Sequence, residues 1–136
     1  MSDRPAALTA PSAELIEELA LAALQALPAE FRAAASGVAI RVEELADDDM
    51  LDDLGLEDPF ELTGLYDGVP LTEKSVSDQP QVPDVIWLFR RAILDEWAER
   101  GNVTLGELVT HVLVHELAHH LGWSDADIAR IDRWWE

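Results

Sequence analysis

A chain of 136 residues, 49% of them hydrophobic, is enough for one domain with a core of its own and leaves no room for a second. It holds no cysteine, which excludes disulfides and thiolate metal sites, so any metal must sit on nitrogen and oxygen donors. Against 9 Lys and Arg stand 28 Asp and Glu, a formal charge of −19; such a surface repels nucleic acid and anionic membranes, and it either simply keeps a small protein soluble or favours a basic peptide or protein partner.

The first residues lack a basic segment followed by an apolar one, and no apolar run is long enough to span a bilayer. The expectation is a soluble, cytoplasmic protein. Residues 1–11 read as a flexible leader ending at Pro11. Ser12 is placed to cap a helix running to about residue 27, with Leu15, Ile16, Leu19, Ala23 and Leu27 at helical spacing and Glu14, Glu17 and Glu18 near its positive end. Pro28 stops it.

Val38-Ala39-Ile40-Arg41-Val42 carries β-branched residues on alternate positions and predicts a strand. Residues 43–58 hold nine carboxylates among sixteen positions but lack the alternation and closing Glu of an EF-hand, so they read as a solvated loop. Residues 61–67 suit a second strand closed by the turn Asp67-Gly68, and the proline-bearing stretch 70–83 reads as an extended loop. The continuous apolar run Val85-Ile86-Trp87-Leu88-Phe89 fits a strand buried on both faces. A short helix should follow over 91–100 and end at Gly101.

The next helix is the best specified. Thr104 and Glu107 have capping-box spacing, the segment stays helix-compatible to Leu121, and Gly122 supplies a left-handed stop. Apolar residues lie on most of its sides, which predicts burial nearly all round. A last short helix is expected over 124–135. The architecture expected from this order is α+β: a small mixed sheet of three or four strands packed on a central helix with flanking helices, forming one domain over 12–136.

All four histidines fall within ten residues of that central helix, at 111, 115, 119 and 120. His115 and His119 are four apart, so one turn of helix stacks their imidazoles on one face, where both can ligate a single ion such as zinc. Glu116 is rotated by about 100° from His115. Its carboxylate then stands beside the ion, able to take a proton from an attacking water and pass it to a leaving amine. Two imidazoles are one ligand short of a catalytic zinc site. The chain turn that Gly122 permits can bring Asp125 back as an oxygen ligand, with Asp127 as the substitute; both also read as ordinary acidic residues at a helix start. His120 points away from His119 and is assigned to packing or to a hydrogen bond supporting the site. His111, one turn before His115, can add a ligand or merely line the cleft, and is assigned to lining it. Tyr66 offers a weak candidate for an oxyanion donor.

The stretch His115-Glu116-Leu117-Ala118-His119-His120-Leu121-Gly122-Trp123-Ser124-Asp125 is similar to the metzincin pattern, with Asp125 where a third His would stand. It more closely resembles the minimal zincin-like metallopeptidase family of short bacterial proteins. Gly64-Leu65-Tyr66-Asp67-Gly68-Val69-Pro70-Leu71-Thr72 and Ile86-Trp87-Leu88-Phe89-Arg90-Arg91 share in the likeness, which spans about residues 38–130. The resemblance implies a zincin-like fold, one zinc ion per chain on His115, His119 and Asp125, and Glu116 as the general base of peptide-bond hydrolysis. It implies no particular substrate. Metzincins carry a Met-containing turn after the third ligand, and no Met follows Asp125 here, so Trp134 and Trp135 are candidates for the floor of the site.

Two other readings compete with a peptidase. One is a metal-stabilised binding module with little or no turnover, docking a basic protein on its acidic face. The other is a small-molecule amidase or deacetylase, which needs a closed pocket. A monomer satisfies all three.

Overall fold

The apolar run around residue 87 becomes the middle strand of a three-stranded mixed sheet, and the rest of the molecule is arranged around it. The computed structural model describes residues 10–68 and 84–122. In chain order these residues form α1 (Ala13–Ala26), α2 (Ala29–Ala34), β1 (Val38–Glu43), α3 (Asp48–Leu54), a 3-10 turn (Pro59–Glu61), β2 (Gly64–Asp67), β3 (Asp84–Phe89), α4 (Arg90–Arg100) and α5 (Leu105–His120). The expected leader up to residue 9, the loop over 70–83, and the helix over 124–135 with Asp125, Asp127, Trp134 and Trp135 lie outside the described residues.

Strand order is β1-β3-β2. β1 runs parallel to β3, with Ile40 opposite Ile86, whereas β2 runs antiparallel to it, with Tyr66 opposite Ile86. Alternation along β3 sends Ile86 and Leu88 into the main core, with Ile16, Ala20, Leu108, Val109, Leu113 and Leu117 of α1 and α5. Phe89, and Trp87 at its margin, turn to the other face and join Ala46, Leu51 and Ala92 in a second cluster. A strand with core on both sides has no solvated face, which is why its sequence does not alternate.

The fold is the mixed α+β arrangement expected, with five helices and a small sheet among the described residues. Two local expectations need correcting. The acidic stretch is not all loop: Asp47 accepts a hydrogen bond from Met50 N at 2.8 Å and caps α3, which ends at Gly55 in the left-handed region at φ 70°. The carboxylates of its first turn suit the positive helix end, and buried Leu51 anchors it to the second cluster. β2 begins at Gly64 and not at 61, because Asp58 accepts from Phe60 N at 2.9 Å and closes a 3-10 turn over 59–61. Beyond Pro28, in a stretch to which the sequence assigned no element, the chain restarts as α2, since proline at a helix start sacrifices no internal hydrogen bond.

Both ends of α5 follow the sequence pattern. Thr104 Oγ1 accepts from Glu107 N and Glu107 Oε1 accepts from Thr104 N, each at 3.0 Å, completing the capping box. At the other end Gly122 adopts φ 79°, a conformation open to glycine at little steric cost. Between them Leu105, Leu108, Val109, Val112, Leu113, Val114, Leu117, Ala118 and His120 are buried. Of these only His120 is ionisable.

Candidate metal centre

α5 carries the histidines, and β2 lies against it where they stand. The imidazoles of His115 and His119 lie on one face with ring centroids 5.1 Å apart and planes at 73°. The ligand-capable atoms of His115, Glu116 and His119 all fall within 4.8 Å of one another, and all three residues are half-buried. Two imidazole nitrogens and a carboxylate oxygen form a donor set suited to a zinc-like divalent ion. The motif reading makes Glu116 a neighbour of the ion, while its proximity alone would also let it ligate. Its hydrogen bond favours the first: Oε1 accepts from the backbone N–H of Tyr66 at 3.0 Å, so the carboxylate is already tied to β2.

Close approach of β2 to α5 makes that bond possible. A Cβ at Gly64 would lie 2.5 Å from Val112 Cγ1 and 3.3 Å from Glu116 Cγ, so the strand can lie this near only with glycine there. Burial pushes the Glu116 carboxyl up from its ordinary value near 4.5 to about 7, and the Tyr66 N–H opposes this by favouring the ionised form.

This has a consequence for the metal-free protein. Unfolded, Glu116 loses its proton near pH 4.5; folded, it keeps it to about 7. The native state therefore binds more protons than the unfolded chain in that window, and stability falls as pH rises through it, levelling above about 7. Glu116→Gln removes this term. Urea denaturation in a chelator should give the variant a stability advantage that grows between pH 5 and pH 8 by up to a few kcal/mol, at about 1.4 kcal/mol per pH unit and less for partial exposure. A pH-independent difference would contradict burial of the charge.

The remaining histidines occupy different surroundings. His111 stands one turn before His115, half-buried, its ring centroid 6.4 Å from that of His115 at 35°. His120 is 3% exposed, and its Nδ1 lies 3.1 Å from both Asp84 Oδ2 and the Tyr66 hydroxyl oxygen. The Tyr66 hydroxyl itself donates to Asp84 Oδ2 at 3.0 Å, so it is engaged inside the protein and is not held out for an oxyanion. Burial, followed by the Asp84 carboxylate, raises its pKa above the ordinary value and keeps it protonated at neutral pH. Sequence reasoning missed Asp84 altogether. It precedes an apolar run and looks like loop, and nothing local marks it as the buried first residue of β3.

A mixed sheet laid on a helix that presents two histidines one turn apart, with a glutamate between them, is the arrangement of a zincin metal centre. A family profile described as zincin-like metallopeptidase matches residues 35–135, well over half of the chain. The chain belongs to that family. A comparison with curated proteins finds no match.

Proposed function

We propose that the protein is a zinc-dependent peptidase that hydrolyses peptide bonds with Glu116 as general base. The observation that carries this reading is a carboxylate withdrawn from water, within ligand range of two imidazoles and held by one backbone N–H. Placing an ionisable group there works against stability, which suits a proton-transfer role better than a structural one. His115 and His119 hold the metal, with Asp125 as the third ligand beyond the Gly122 turn. When bound, zinc supplies Lewis acidity and lowers the pKa of water enough for attack near neutral pH.

Glu116 receives the proton of the attacking water and delivers it to the leaving amine, the Tyr66 N–H keeping the carboxylate aimed throughout. The net charge of −19 points to peptides or proteins carrying basic residues as substrates. No helix among the described residues is long and apolar enough to cross a membrane, and a cytoplasmic site of action is part of the proposal.

The test is a metal analysis of purified protein coupled to a peptide-library cleavage assay. One zinc per chain, with cleavage abolished by a chelator and restored by zinc, is the expected result. Stoichiometric zinc with no cleavage of any library member would replace the peptidase with a metal-stabilised binding module.

A further inference from the structure

The double histidine ending α5 is unexplained by a metal site that uses only the first of the pair. β2 provides the explanation. Phe89 N–H donates to Thr63 O at 2.9 Å, and hydrogen-bonded pairs alternate along an antiparallel ladder. Residues 65 and 67 therefore face β3, while the N–H and C=O of Gly64 and Tyr66 point away from it. The outward N–H of Tyr66 meets Glu116 Oε1. The position of that carboxylate thus depends on where the backbone at 66 lies. A four-residue strand bonded to one neighbour is a weak foundation by itself.

Its side chain supplies what the backbone lacks. The Tyr66 phenol reaches Asp84 at the start of β3 and His120 at the end of α5. The tyrosine and imidazole rings meet edge to face with centroids 5.4 Å apart. With the hydroxyl donating to Asp84, an Nδ1–H tautomer of His120 would let the imidazole donate to both oxygens. Asp84 is 8% exposed and His120 3%, so the cluster is shielded from competing water. Glu116 and His120 are four residues apart and stack on one face of α5. One residue of β2 therefore grips the helix twice, a turn apart, by its N–H and by its hydroxyl. Gly68 closes the far end of the strand, where any Cβ would collide with the Asp84 carboxylate.

We propose that Tyr66, Asp84 and His120 form a clamp that positions Glu116. They are positioning residues that act through the strand backbone. The consequence for turnover rests on the peptidase reading; the clamp itself can be measured without it. Amide hydrogen exchange, followed by NMR on 15N-labelled metal-free protein, reads the Tyr66 N–H directly.

In wild type this edge amide should be protected, and Glu116→Ala should remove the protection. Tyr66→Phe and Asp84→Asn, which retain side-chain shape, should each speed exchange at residue 66 by about tenfold or more while the amides of Leu113 and Leu117 in α5 keep their rates. Unchanged exchange at 66 in both variants, or equal acceleration throughout α5, would overturn the clamp in favour of no role or a general packing role. With zinc bound, Tyr66→Phe should lower kcat by about tenfold, leave KM and zinc affinity unaltered, and add nothing to the loss caused by Glu116→Gln. A rise in KM or a fall in zinc affinity instead, or full additivity, counts against positioning. Failure of the wild type to cleave any peptide would strike the peptidase reading alone, the exchange rates still deciding the clamp.

Discussion

Glu116→Gln should keep its zinc and lose about a thousandfold in hydrolysis, the middle of the range for removing a general base. The substitution is close to isosteric, and the amide oxygen can still accept from the Tyr66 N–H that now binds Oε1 at 3.0 Å. Geometry is thus preserved, and only the capacity to take a proton is removed. Because the change touches a transition-state role, kcat and kcat/KM should fall together while KM moves little. Equilibrium dialysis should find zinc binding within a few-fold of wild type, since the imidazoles are untouched. Two results would redirect the account. Unchanged turnover would remove Glu116 from the chemistry, and lost zinc would make it a ligand, which its closeness to both imidazoles allows.

The second large effect belongs to His119→Ala. Loss of a mere supporting partner of a metal ligand weakens binding by 10–100-fold, so removing a ligand itself should weaken zinc binding by at least about a hundredfold. The half-buried side chain contributes little to the core, so the metal-free fold should survive. That separation gives a clean thermodynamic readout. Wild type at a free zinc concentration of 100 times its Kd gains about 2.7 kcal/mol of stability by linkage; the variant at the same zinc should gain almost none. Asp125→Ala should show the same behaviour to a lesser degree and Asp127→Ala should not; the reverse would make Asp127 the third ligand. Retained zinc stabilisation in His119→Ala would break the imidazole pair on which the site is built.

The elements that could be read from sequence are those fixed by short-range chemistry. The capping box at Thr104 and Glu107, the Ser12 cap and the glycines at 101 and 122 state the helix limits within a residue or two. The two-sided burial of β3 shows in its unbroken apolar run. α3 was hidden because nine carboxylates dominate the composition of residues 43–58. The cap at Asp47 and the buried Leu51 decide that stretch, and such sparse anchors are easily outweighed by charge.

The site divides in the same way. His115, Glu116 and His119 lie in one helical turn, so spacing alone brings them together. Tyr66 and Asp84 reach the site only through strand pairing across dozens of residues, which no local pattern announces. The glycine at 64 was a usable signal, a residue without a side chain inside a short strand, which marks close approach of another backbone or side chain.

Anomalous diffraction at the zinc edge from crystals of the zinc-loaded protein tests the central claim most directly. A single strong peak about 2.0–2.1 Å from one ring nitrogen each of His115 and His119 is the expected result, with the Glu116 carboxylate beside the ion and outside bonding distance. A peak elsewhere on the chain, or none after soaking at saturating zinc, would contradict it.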